Sequence, residues 1–195
     1  MSEPRRRRCS GGTAQPRSGE GDEAMRRSGA HEQSLIDAES ASRVGTVAAT
    51  ATGEVNRRDW QRWAAAVGDH NPLWFDTEYA RAQGYRDIIC PPLFLQYAVL
   101  GVTELDGLRP DGSSGAVSGS LAFPRAPRRM AGGESTKFFR PAYHRDEIEM
   151  VRTIKSIVEK QGRSGRFVLV TWQTVYRNQR GELVSEATTS MIARP

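Results

Sequence analysis

Cysteine and histidine are scarce in this 195-residue chain, with two and three copies. Cys9 and Cys90 offer no disulfide framework and no thiolate cluster, so neither a metal nor another cofactor is expected. Histidine-dependent chemistry has only His31, His70 and His144 to draw on. Long apolar runs are also missing. Nothing approaches the ~18 residues needed to span a bilayer, and the start lacks the apolar stretch of a secretory signal. A cytoplasmic protein that does not engage a membrane is expected. Lysine is nearly absent, with 3 copies among the 28 cations, so the net charge of +5 is an arginine excess. Residues 1–40 hold seven Arg and seven Asp plus Glu, which leaves the excess spread over the rest of the chain. That distribution does not single out a nucleic-acid partner.

Large apolar side chains are rare before Leu35-Ile36, and Arg, Ser, Gly and Glu dominate. Such a segment cannot bury enough surface to offset its ordering entropy. Residues 1–42 are therefore expected to form a disordered tail and residues 43–195 a single domain. Within it, Val44 to Val55 reads as a strand or an extended lead-in. Asn56 is placed to cap a helix in which Trp60, Trp63, Ala64 and Val67 recur at i, i+3, i+4 and i+7. Gly68 ends that helix and opens the compact turn Gly68 to Asp76, and a short helix follows with Tyr79 and Ala80 facing inward. After Ile88-Ile89-Cys90-Pro91-Pro92, Leu93 to Val102 is apolar on nearly every face, which predicts a helix lying inside the domain.

Beyond a Gly- and Pro-rich connection containing a possible short strand at Ser118 to Phe123, the periodicity changes to two. Segments at Ser135 to Arg140, Glu147 to Glu159, Phe167 to Asn178 and Glu182 to Ala193 are joined by turn signals. Val168, Val170, Trp172, Thr174 and Tyr176 mark one buried face. Four or five antiparallel strands can bury a wholly apolar helix only by curling around it. The predicted class is α+β, a hot-dog fold with an antiparallel meander wrapped around a central helix.

The stretch Gly68-Asp69-His70-Asn71-Pro72-Leu73-Trp74-Phe75-Asp76, followed by Tyr79-Ala80-Arg81 and Ile89-Cys90-Pro91-Pro92-Leu93-Phe94, resembles the MaoC-like (R)-specific hydratases and dehydratases. It is most similar to the N-terminal dehydratase region of fungal-type fatty-acid synthases. Gly132-Gly133-Glu134, Phe139-Arg140-Pro141, Asp146 and Tyr176 to Val184 extend the likeness over most of residues 43–195. The resemblance implies hydration of a trans-2-enoyl thioester, or the reverse dehydration of a 3-hydroxyacyl thioester. In such enzymes an Asp and a His five residues later hold the reacting water. Attack at C3 needs a base and protonation at C2 needs an acid, and two groups of different pKa supply both. Backbone N–H groups at the start of the central helix stabilise the enolate.

The family's Asp matches Asp69, but Trp74 stands in place of the His. An indole N–H can donate and cannot take up a proton at neutral pH. Pro92 stands where the family's Gly presents its amide, and proline has no N–H. The Leu93 amide is a possible replacement, and His70 a possible stand-in for the missing His. Asn71, Cys90, Pro92, Leu93 and Phe94 are the expected substrate-binding positions, with Asn71 also holding the turn through an Asx-type bond. This pattern is similar to the silent subunit of heterodimeric (3R)-hydroxyacyl dehydratases. It implies an acyl-CoA or acyl-carrier-protein thioester as ligand and a second hot-dog subunit as partner. The alternatives are a self-sufficient homodimeric (R)-specific enoyl-CoA hydratase using Asp69, or a non-enzymatic acyl-thioester binding module. Arg125, Arg128 and Arg129 form either a phosphate clamp or a solvated loop.

Overall fold

Side chains that cap their own backbone set several element boundaries in the computed structural model, which describes residues 33–100, 104–108 and 121–195. Asn56 accepts from the Arg58 amide at 3.0 Å and opens α2, Arg57–Ala66. Asp76 accepts from the Glu78 and Tyr79 amides and opens α3, Thr77–Ala82. Each side-chain oxygen satisfies an amide that has no intrahelical partner. Before them stand α1, Ala38–Ser42, and β1, Val47–Glu54. After them come α4, Leu95–Val99, then β2, Arg128–Phe138, β3, Glu147–Gly162, β4, Gly165–Asn178, and β5, Leu183–Arg194.

The five strands form one antiparallel sheet in the order β1-β3-β4-β5-β2. β3, β4 and β5 are the expected meander. β2 departs from it, because it pairs with β5 at the far edge and not with β3, which follows it in the chain. A tight turn dictates only the pairing of its own two strands, and the segment between β2 and β3 contains no such hairpin turn. The possible strand at Ser118 to Phe123 is not formed over the residues described there, Leu121 to Phe123, which have no strand pairing although Leu121 and Phe123 are buried.

One face of the sheet carries the helices. Trp60, Trp74, Ile89, Phe94, Leu95, Val99, Ile148 and Val184 make an apolar cluster there. A second cluster joins Ile154, Val168, Val170 and Trp172 of the sheet to Leu35, Leu121 and Phe123. Leu35 corrects part of the tail reading. Residues 34–42 carry α1, and the Leu35 amide and Ser34 hydroxyl donate to Glu159 on β3 at 2.9 and 3.0 Å. One buried leucine and a carboxylate partner order a segment whose average composition predicts none. The rest of the expected disordered tail, residues 1–32, lies outside the described residues.

The helix expected over Leu93–Val102 is shorter and half open. A 3-10 turn, Pro92–Phe94, leads into α4. Phe94, Leu95 and Val99 are buried, whereas Leu93, Tyr97 and Leu100 are 55%, 46% and 60% exposed. Residues 101–103 lie outside the described residues. α4 rests on β1 at Gly53, where an added Cβ would stand 1.8 Å from the Ala98 carbonyl oxygen. That contact seats one side of α4 on the sheet, and among the described residues no strand reaches across the other. Tyr79, expected inside, is 41% exposed, because α3 buries only Ala80.

Candidate functional site

The turn that carries Asp69 begins at the end of α2. The Gly68 and Asp69 amides donate back to the Ala65 and Ala64 carbonyls at 3.2 and 2.8 Å, with Gly68 at φ +74°. This reciprocal closure needs a left-handed residue, which is why glycine stands there. Two side chains then brace the turn in series. Asp69 Oδ1 accepts from the Asn71 amide at 3.3 Å, and Asn71 Oδ1 accepts from the Leu73 amide at 3.0 Å. Asn71 thus plays the turn role expected of it.

Trp74 closes the loop. Its indole Nε1 donates to Asp69 Oδ2 at 3.0 Å. Its backbone carbonyl accepts from Trp60 Nε1 and Gln61 Nε2, both at 3.2 Å. Trp74 is buried and Asp69 half-buried. The five-residue spacing that pairs Asp with His in the resembled enzymes therefore pairs Asp with an indole here. The carboxylate receives donors on both oxygens, and its partner offers no lone pair to accept a proton. His70, next in sequence, is exposed and makes no hydrogen bond to Asp69. His144 is also exposed, and its Nδ1 accepts from the Arg57 amide at 3.3 Å at the start of α2.

The segment Ile88 to Pro91 is buried and runs between two loops. The Ile89 amide donates to the Leu73 carbonyl at 3.1 Å, and the Cys90 amide to the Ala142 carbonyl at 2.8 Å. The Cys90 thiol is pushed far above its ordinary pKa, first by burial and second by the negative charge of Asp146. It is a small core residue, since only a thiolate attacks. Asp146 itself is buried, accepting from the Tyr143 amide at 2.8 Å and Gln179 Nε2 at 3.2 Å, with Arg86 at 3.8 Å.

Two cavities flank Pro92. One, of about 210 Å³, is lined by Cys90, Pro92, Leu95, Phe138, Phe139 and Arg140 among others. A smaller one, of about 30 Å³, lies between α4 and the sheet, with Leu93, Gln96, Glu134, Thr136 and Tyr176 in its wall. Cys90, Pro92 and Leu93 therefore border cavities. Phe94 instead packs edge-on against Trp63, with ring centroids 5.9 Å apart, and Asn71, Asp69 and Trp74 line neither cavity. Phe138, Glu134 and Tyr176 were not among the expected site residues. Their alternation along β2 and β4 marks a face, but only the pairing of β2 with β5 brings them together. The arginines Arg125, Arg128 and Arg129 bond to backbone carbonyls of Ser34, Pro195 and Leu121, which ties down chain segments.

Among the described residues no helix is long and apolar enough to cross a membrane. Over residues 42–187 the chain matches the model of the FAS1-like dehydratase domain region. It is 33% identical over 141 residues to a UPF0336 protein of Parafrankia sp. (strain EAN1pec), covering 72% of this chain and 84% of that one. Among solved structures it is similar to the ChsH1-ChsH2 complex from Mycobacterium tuberculosis. There the TM-score is 0.59 at 20% identity, over 75% of this chain and 83% of that one. The HadBC (3R-hydroxyacyl-ACP dehydratase) complex of the same organism gives a TM-score of 0.51 at 22% identity, over 77% and 96%. These likenesses show the hot-dog architecture, and the chain belongs to the FAS1-like dehydratase region family.

Proposed function

We propose that this chain is the substrate-shaping, catalytically weak subunit of a heteromeric hydratase or dehydratase acting on trans-2-enoyl and 3-hydroxyacyl thioesters. The observation behind this reading is the Trp74 to Asp69 hydrogen bond of 3.0 Å. Water addition requires a group that takes a proton at C3 and returns one at C2. The indole does neither, and its donation occupies the carboxylate that a water would use. Pro92 removes an amide from the start of the 3-10 turn where the resembled enzymes stabilise the enolate. Losing a general base costs about 10²–10⁴ in rate and losing an oxyanion donor about 10²–10³.

The rest of the chain suits a supporting role. The sheet ends in β2, an edge strand of 11 residues, and Leu93, Phe138 and Phe139 are exposed apolar side chains at or near that side. Unpaired edges and apolar surface are what a second subunit covers. Two similar structures are, by their names, complexes of two proteins. The partner is a second hot-dog chain with Asp and His intact, and the ligand an acyl-CoA or acyl-carrier-protein thioester.

Hydration of crotonyl-CoA and longer trans-2-enoyl-CoA by the purified chain tests this, alone and with a co-expressed hot-dog chain carrying both residues. The expected result is negligible turnover alone and activity that needs both chains. Turnover on the order of 1–10³ per second by the chain alone, abolished by Asp69→Asn, would establish a self-sufficient hydratase instead. Thioester binding with no activity in any combination would establish a binding module.

A further inference from the structure

The face of the sheet turned away from the helices is patterned along its length. On β4, Val168, Val170 and Trp172 point into the core, so Phe167, Leu169, Thr171, Gln173 and Val175 point the other way. Register carries these positions across the neighbouring strands. Leu169 pairs with Val158 on β3 and Ile192 on β5, and Ile192 with Met130 on β2. This apolar row joins neither core cluster, and Val158 and Met130 are 39% and 51% exposed. Further along β4, Val175 pairs with Val151 on β3, a second apolar contact outside both clusters. Between the two lie polar positions, Ser156, Thr171 and Ser190, then Thr153, Gln173 and Thr188.

Charge divides the same face. Beyond Leu169 stand Lys160, the register partner of Phe167, and the cross-strand pair Arg128 and Arg194, with the Arg194 guanidinium 5.9 Å from the Phe167 ring centroid. Beyond Val175, Glu149 pairs with Thr52, and Glu54 and Glu147 are register partners in the wall of a hollow of about 590 Å³. Among the described residues, none of Lys160, Glu54, Glu147 and Glu149 makes an ion pair. Like charges directly opposite each other on paired strands repel, and here they do so at both ends of one face with opposite sign. Arg177, the register partner of Glu149, is a cation in the acidic end, and its Nη1 donates to the Gly181 carbonyl at 2.8 Å.

We infer that this face is an interface with a second copy of the chain, packed back to back about a two-fold axis that lies between the sheets and runs across the strands. Such an axis keeps each strand opposite its own copy and reverses its direction. Placed between Thr153 and Ser156 on β3, it sets Lys160 over Glu149 of the second copy, Val158 over Val151 and Ser156 over Thr153. On β4 it sets Leu169 over Val175 and Phe167 over Arg177, and a guanidinium on an aromatic ring is attractive. Apolar positions then cover each other, and each charged end meets the opposite sign. A two-fold axis along the strands would instead stack cations on cations. Four strands at about 4.8 Å and ten residues at about 3.4 Å make a face of roughly 600 Å² per copy, near the ~800 Å² per partner of a standard interface. The β2 edge stays free, so this contact neither uses nor requires the pairing with a catalytic partner proposed above.

Sedimentation equilibrium of the full chain, alone and with charge-reversed variants, is the test. Lys160→Glu and Glu149→Lys, both at exposed positions of β3, should each weaken self-association about tenfold or more, because each sets like charges together at two symmetry-related sites. The two reversals in one chain exchange the charges and should restore association to within about threefold of the unmodified chain. β3 lies three strands from β2 in the sheet, so association through the β2 edge responds to none of these changes. A chain that stays monomeric up to about 100 μM overturns the inference. Self-association that ignores the single reversals overturns it too, as does a double reversal that fails to restore it. None of these results touches the catalytic reading, which the enoyl-CoA assay decides separately.

Discussion

Trp74 Nε1 donates to Asp69 Oδ2 at 3.0 Å, and the Asn71 amide takes the other oxygen of the same carboxylate. Asp69 is thereby a turn brace whose two oxygens are engaged by the chain that it organises. The same atoms in the resembled enzymes face a histidine and a water.

Replacing Asp69 by Asn keeps one acceptor and turns an N–H₂ toward a donor. Either the indole or the Asn71 amide then loses its partner. The expected cost is about 1–2 kcal/mol of stability, read by denaturant unfolding. In a complex with an active partner, turnover should change less than about tenfold, whereas the equivalent substitution in the partner's own Asp should cost at least ~10². A large loss from Asp69→Asn with stability unchanged would place Asp69 in the chemistry.

Gly53 offers a test of the fold that is independent of function. An alanine Cβ there would meet the Ala98 carbonyl oxygen at 1.8 Å and its carbon at 2.8 Å, both backbone atoms that cannot rotate away. β1 or α4 has to move. Gly53→Ala should destabilise by about 3 kcal/mol in urea unfolding, at the upper end of overpacking costs. It should also loosen α4, seen as faster amide exchange at Leu100, whose N–H donates to the Gln96 carbonyl at 3.0 Å.

How much of this was legible in the sequence depended on the range of the interactions. Asn56, Asp76 and Gly68 act on amides within five residues, so their residue types alone announced the elements that they bound. The Asp69 to Trp74 spacing was equally readable, since both lie in one turn. Leu35 escaped because its partners Leu121, Phe123 and Glu159 are distant in the chain, and composition averages over a segment. The row from Val158 to Met130 escaped for a related reason. It depends on the β2 to β5 register, which shifts between Ala131 and Gly133, and on a further shift in β3 after Ile154. A one-residue slip in either would send these side chains to the opposite face.

Glu159 makes the attachment of residues 34–42 sensitive to acid. The hydrogen bond from Arg166 is the largest cause holding its carboxyl below its ordinary value of 4.5, helped by the Leu35 amide and the Ser34 hydroxyl and opposed by burial. A folded pKa below the unfolded one means that the stabilisation is complete above about pH 4.5 and is lost as pH falls through the folded value. Glu159→Gln should therefore lower the melting temperature at pH 7, and the gap between the two proteins should narrow as the pH falls below about 4.5. The Leu35 amide should exchange faster in the variant at neutral pH. A constant gap between the two proteins from pH 7 to pH 3 would count against this linkage.

The last expectation concerns why the chain should be silent by itself. Two blocks are in series, an indole where a proton acceptor is needed and a proline where an amide is needed. Trp74→His should restore an imidazole beside Asp69. It removes a buried indole, with a cost of about 3 kcal/mol or more, so the assay belongs at low temperature with folding checked by circular dichroism. If both blocks operate, Trp74→His alone should raise enoyl-CoA hydration by less than about tenfold, and Pro92→Gly alone should do nothing measurable. The double variant should exceed the product of the two single effects, because the acid/base pair and the enolate donor act in one transition state. If Trp74→His alone reaches the rate of the double variant, Pro92 is no obstacle and the missing histidine is the whole cause.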